Sequence, residues 1–135
     1  MIAQRTRVRS YRDLHVWQIA MDLVVEIYRV TTAFPRHETY GLAVQSRKAA
    51  VSVPANVAEG HGREHLGDYI HHLSIANGSL MELETHCLIA ERLRYITQED
   101  VAPLLKRTGE LGRMLAGLIR ALKRRRTPRH LTPGT

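Results

Sequence analysis

The sequence predicts an all-α protein, an antiparallel up-down-up-down four-helix bundle. Three observations carry that expectation. Apolar residues recur in alternating steps of three and four along four separate stretches, which is the spacing of one helix face. No stretch shows the alternation of a strand. Aromatic residues make up only 5% of the chain, so the core must be built from Leu, Ile, Val and Ala, whereas strands draw heavily on aromatic and β-branched residues. A length of 135 residues suits one domain around one core.

The first helix is expected at about 13–33. Asp13 can cap it by accepting from the free amides of the first turn. Val16, Ala20, Leu23, Ile27 and Val30 form one apolar stripe. Trp17, Met21, Val24 and Tyr28 form a second stripe beside it. An apolar face this wide suggests burial on two sides, by the bundle and by another subunit. Pro35 closes the helix.

The second helix is expected at about 40–59. Leu42, Ser46, Ala49, Val53, Val57 and Gly60 mark its inner face. A polar stripe of Gln45, Ser52, Asn56 and Glu59 runs beside it. Pro54 lies in the interior and removes a backbone hydrogen bond to Ala50, and Asn56 is expected to answer the freed group. Gly60 and Gly62 are expected to end the helix through the left-handed conformation that glycine tolerates.

The third helix is expected at about 67–95, with Tyr69, Leu73, Ala76, Leu80, Leu83, Cys87 and Ala90 inward. The fourth begins at Thr97, a capping hydroxyl, with Glu99 and Asp100 in its first turn near the positive end of the dipole. Its stripe is Val101, Leu104, Thr108, Leu111, Leu115, Leu118 and Leu122. Gly109, Gly112 and Gly117 each weaken it by about 1 kcal/mol relative to Ala, and close helix contact is the expected reason for them. The seven-residue repeats imply near-antiparallel, left-handed packing.

The formal charge is +7, and it is concentrated at the two ends. Residues 1–12 hold Arg5, Arg7, Arg9 and Arg12 and no acid. Residues 123–135 hold Lys123, Arg124, Arg125, Arg126 and Arg129 and no acid. Between them stand 11 basic and 13 acidic residues. The chain therefore divides into a basic arm at 1–12, a bundle at 13–122 and a basic, flexible tail at 123–135. Up-down topology brings the start of the first helix, the turn between the second and third with His61, Arg63 and His65, and the end of the fourth to one pole. The other pole, with Arg36, His37, Glu38, Gln98, Glu99 and Asp100, is mixed.

The single Cys87 precludes an internal disulfide and a cysteine-based zinc site. No apolar run is long enough to span a membrane, and no apolar signal core follows Met1, so a cytoplasmic protein is expected. No Glu is followed by His three residues on, the spacing of di-iron bundles. His61, His65, His71 and His72 gather near one turn, but without partner spacing no metal or cofactor is expected. Cys87 lies on a core seam and Ser79 lacks a Gly-x-Ser-x-Gly elbow, so no catalytic residue is assigned. The polar stripe is read as a buried network that fixes register, with Ser79, Glu82 and Arg47 as candidate partners. An enzyme built on that stripe is the weaker reading.

Several segments resemble one known family: D-L-H-V-W-Q-I-A at 13–20, F-P at 34–35, Y-G-L at 40–42, Q-S-R at 45–47, S-V-P-A-N-V-A-E-G at 52–60 and I-A-N-G-S-L-M-E-L-E-T at 75–85. Together they are similar to the four-helix bundle proteins encoded in intervening sequences of bacterial 23S rRNA genes. The resemblance covers roughly 11–122. It implies a homopentameric ring and kinship with the accessory proteins of diversity-generating retroelements, basic pentamers that bind nucleic acid and a reverse transcriptase. It carries no catalytic residues.

The resulting expectation is a non-enzymatic homo-oligomer, a pentamer by resemblance, that binds RNA or DNA through its basic pole with little regard to sequence. Arg5, Arg7, Arg9, Arg12, Arg63, Lys123, Arg124, Arg125 and Arg126 would meet phosphates, whose oxygens match the arginine fork. Apart from Tyr11 the pole offers few aromatic rings for stacking on bases. Trp17, Met21, Val24 and Tyr28 would meet a neighbouring subunit. The alternative is a scaffold that recruits a partner protein, such as a reverse transcriptase, with nucleic-acid binding incidental.

Overall fold

The computed structural model describes residues 8–126. They form four helices: α1 (His15–Thr31), α2 (Leu42–His61), α3 (Leu66–Arg92) and α4 (Gln98–Arg126). Short 3-10 turns lie at Tyr11–Asp13 and Arg36–Glu38, and the described residues contain no strand. Each helix packs on its neighbours in sequence, and α4 closes back on α1. The diagonal pairs, α1 with α3 and α2 with α4, do not pack directly among the described residues. This is the up-down-up-down bundle.

Antiparallel register is visible in the paired side chains. Between α1 and α2, Arg47 Nε donates to Thr31 Oγ1 at 2.8 Å. Between α2 and α3, Ser52 meets Ser79 and Asn56 meets His72. Between α3 and α4, the Thr108 hydroxyl donates to the Glu84 carboxylate. Gly112 lies against Leu80, and Gly67 lies near the Arg126 guanidinium. Between α4 and α1, Arg107 pairs with Glu26 and Asp22.

The core follows the expected stripes closely. Leu23, Val53, Val57, Leu73, Leu80, Leu83, Leu111 and Leu115 are fully buried. Val30, Tyr69 and Leu118 are only half buried; they lie near the ends of their stripes, where fewer neighbouring side chains cover them. Ile70 takes the inward position expected of Tyr69.

Helix ends depart from the sequence reading in several places. Asp13 does not cap α1. It closes a capping box with Ser10 around the preceding 3-10 turn, and α1 begins after Leu14 without a side-chain cap. Gly62 ends α2 in right-handed backbone, φ −81°, so left-handed freedom is not its role. Gly60 stays inside α2 for another reason: a Cβ there would come within 2.7 Å of His72 Cβ. α3 stops at Arg92, short of Tyr95. Arg94 takes the left-handed conformation, φ 62°, while Tyr95 N–H returns to the Ala90 carbonyl and Arg94 N–H to Glu91. Thr97 does cap α4 as expected, in reciprocal hydrogen bonds with Asp100.

The α4 glycines also have a different explanation from the expected one. A Cβ at Gly109 or Gly117 would meet only the guanidinium end of Arg113 or Arg120, and one at Gly112 would make ordinary contact with Leu80. No close helix contact among the described residues requires them. The boundary expected after residue 122 falls inside α4, since Lys123, Arg124, Arg125 and Arg126 complete its last turn.

Candidate nucleic-acid interface

Short-range chemistry fixes the backbone that precedes α1. The Asp13 carboxylate accepts from the backbone N–H of Arg9 at 2.8 Å and of Ser10 at 3.2 Å. Those two bonds hold its carboxyl below the usual aspartate value. Ser10 Oγ accepts from Arg12 N–H, and Gln18 donates to the Arg12 carbonyl. Arg9 and Arg12 thus project from anchored backbone, and both are exposed. The 3-10 turn that carries Arg12 packs on α1 and α2.

The end of α4 reaches the same pole. Arg126 lies against Gly67 at the start of α3. Burial pushes the Tyr69 hydroxyl up, and the neighbouring Arg125 charge partly opposes it. At the end of α2, Arg63 donates to Glu59 at 2.8 Å in an exposed pair. His61 stands edge-on to Tyr69 at 5.8 Å, and His71 lies beside His72. Arg9, Arg12, Arg63, Lys123, Arg124, Arg125 and Arg126 therefore belong to one end of the bundle, all exposed. Arg5 and Arg7 lie outside the described residues. Arg63 shares its charge with Glu59, so it contributes less to the local potential than an unpaired arginine would.

The polar stripe on α2 separates into two kinds of residue. Ser52 and Asn56 are half buried and bonded across the α2–α3 seam. Ser52 Oγ and Ser79 Oγ are 2.7 Å apart. Asn56 Nδ2 donates to the Ser52 carbonyl at 2.9 Å and to Ser52 Oγ at 3.0 Å. Its Oδ1 is then the acceptor toward His72 Nδ1 at 3.0 Å, which fixes the proton on that ring nitrogen. Asn56 thus bonds to Ser52 and His72, not to the Ala50 carbonyl that Pro54 leaves free. Gln45 and Glu59 face solvent. The other candidate partners go elsewhere: Glu82 toward His86, and Arg47 to Thr31 and the Tyr28 ring. Of the three candidate partners the sequence offers, only Ser79 is bonded to the stripe. His72 is not among them, because one histidine among several near the α2–α3 turn gives no sign of facing α2.

Among the described residues, no three His, Cys, Asp or Glu side chains are grouped to hold a metal. Burial, with help from the Glu84 charge, pushes the Cys87 thiol up to about 11, so it stays protonated and unreactive.

The second stripe of α1 is unevenly covered. Trp17 and Val24 pack partly on the chain's own core, and Trp17 meets Tyr11 edge-on at 5.3 Å. Met21 and Tyr28 remain 41% and 44% exposed, more open than the rest of that stripe. Tyr28 lines an apolar groove of about 490 Å³ with Val44, Val51, Ser52 and the stems of Arg47 and Lys48. No described helix is long and apolar enough to cross a membrane.

The bundle has known counterparts. The family model described as 23S rRNA-intervening sequence protein matches residues 12–117. Among solved structures, a protein of unknown function from the S23 ribosomal protein family of Bacteroides thetaiotaomicron superposes with a TM-score of 0.72. It is 22% identical, and the alignment covers 77% of this chain and 97% of that one. No curated protein matches the sequence.

Proposed function

The chain belongs to the 23S rRNA-intervening sequence protein family, and from that premise we propose a non-enzymatic, homo-oligomeric bundle that binds RNA or DNA through its basic pole. The observation that carries the reading is the gathering of exposed arginines from three distant segments. Arg9 and Arg12 come from the segment just before α1, Arg63 from the α2–α3 turn, and Arg124, Arg125 and Arg126 from the end of α4. The sequence between the two basic ends is slightly acidic, so the charge is directional. Such a surface binds phosphates by releasing their counterions, and the contact carries little sequence information. Met21 and Tyr28 support the oligomer, with Trp17 and Val24 framing them, and the resemblance suggests five subunits.

Light scattering of the pure protein, with and without a single-stranded RNA, at two salt concentrations, tests this directly. The expected result is an oligomer whose mass rises with RNA at low salt and falls back at high salt. A mass unmoved by RNA at low salt overturns nucleic-acid binding and favours the scaffold alternative.

A further inference from the structure

Besides the groove beside Tyr28, the bundle leaves a second apolar strip uncovered on a different helix. On α3, Met81 is 45% exposed, Leu88 43% and Ile89 40%, grouped around Thr85. Beyond its chain neighbours and the backbone of its own helix, a Cβ added at Gly78, one turn before Met81 on the same strip, would meet no described atom within 4 Å. A glycine inside a helix costs about 1 kcal/mol relative to Ala, and no internal contact offsets it here.

The two faces stand at the same height along the bundle. Ser52 meets Ser79 across the α2–α3 seam. Counting back along α2 from that contact, Val51 lies level with Leu80 and Val44 with Cys87, because antiparallel helices rise equally per residue. Met81 and Leu88 follow those residues directly. Their rims also differ in charge. Arg47 and Lys48 border the groove on α2 with no acid among its lining residues. Glu82 and Glu91 border the α3 strip, with Arg92 at one end. A two-fold pairing of the groove with itself would set Lys48 and Arg47 against their own copies.

We infer that the groove between α1 and α2 of one subunit receives the Met81–Leu88 face of α3 from a second copy of this chain, head to tail. The inference rests on the oligomer reading above and supplies the half of the contact that reading lacks. Equal height means that successive subunits join without climbing along the bundle axis. Unlike faces joined in this way generate a closed ring once the rotation closes, and every basic pole then points the same way. Burial of Met, Tyr, Val and Leu side chains supplies the attraction, and the rim charges select the unlike face over the like one.

Mixing two variants tests the pairing. Val51→Asp disables the groove and Leu88→Asp disables the α3 strip; both sites are solvent-exposed, and circular dichroism checks that each variant keeps its helices. The milder pair, Val51→Gln and Leu88→Gln, serves in the same way if either aspartate variant unfolds. Masses are read by light scattering without nucleic acid. The wild type is expected as an oligomer, each variant alone as a particle near the 15.4 kDa chain mass, and the equimolar mixture as a dimer of twice that mass. The dimer forms because each variant retains the face the other needs, and it cannot grow. A Leu88→Asp protein with wild-type mass, or a mixture that stays monomeric while the wild type assembles, overturns the head-to-tail pairing alone. A monomeric wild type overturns the oligomer reading itself.

Discussion

Gly60 shows how one residue couples two helices. It sits inside α2 where α3 comes close, with Tyr69 and His72 across the gap. Gly60→Ala is expected to destabilise the protein by about 1–3 kcal/mol through overpacking, measured as a lower urea midpoint. In the sequence this glycine reads as a helix terminator, because glycine before a turn usually is one. Close approach leaves no local trace in sequence. The same limit applies to Ser52 and Asn56: their period announces a stripe, but only coordinates separate them from exposed Gln45 and Glu59. Glu38 is a second coupling residue. Its carboxylate accepts from Leu42 N–H at 2.9 Å and from the Tyr95 hydroxyl at 2.8 Å, tying the α1–α2 connection to the α3–α4 connection. Those two bonds, the backbone one first, lower its pKa from the ordinary 4.5. A lowered carboxylate contributes stability that is complete above the unfolded value and is lost as pH falls through the folded one. Wild-type stability should therefore drop on acidification below about pH 4.5, and the drop should be shallower in Glu38→Gln, as read from urea midpoints at several pH values.

Helices as elements are legible because burial here follows periodicity almost residue for residue. The α3 and α4 stripes are built from leucine, alanine and a few small substitutes, and a seven-residue repeat of such residues admits one inward face. Helix ends are less legible. α3 ends near a left-handed Arg94 where a glycine would have given the signal, so the periodicity reads on to Tyr95. Asp13 looks like a cap for α1, but Ser10, three residues earlier, offers the reciprocal partner that Leu14 lacks. The glycines of α4 make an element-scale prediction. Gly117 has only the flexible end of Arg120 near its missing Cβ, at 3.8 Å. Gly117→Ala should raise stability by about 1 kcal/mol through helix propensity, seen as a higher midpoint with unchanged slope. A loss of stability would mean that something packs against that surface.

At the scale of the whole molecule, topology converts sequence-distant charge into one surface. Up-down-up-down connection obliges the start of α1, the α2–α3 turn and the end of α4 to share a pole, and that pole follows from the order of helices alone. The basic groups are therefore readable before any coordinates. The continuation of α4 through Arg126 is not, because a run of arginines reads equally as tail or helix. Its consequence is functional. In the proposed contact, arginines on a helical last turn would lose less conformational freedom on meeting phosphate than arginines on a loose tail. The uncovered apolar surface is only half readable: the α1 stripe stands out, whereas the α3 strip is hidden among polar neighbours.

The central claim is that the arginine-rich pole binds nucleic acid by charge. Fluorescence anisotropy of a labelled single-stranded RNA, titrated at a series of salt concentrations, tests it for the wild type and for Arg124→Ala/Arg125→Ala/Arg126→Ala together. The wild type is expected to show a steep negative log–log slope. The triple variant is expected to be shallower by about 2, at about 0.7 for each phosphate it no longer neutralises. Equal slopes for the two proteins, or wild-type affinity that ignores salt, would contradict the claim.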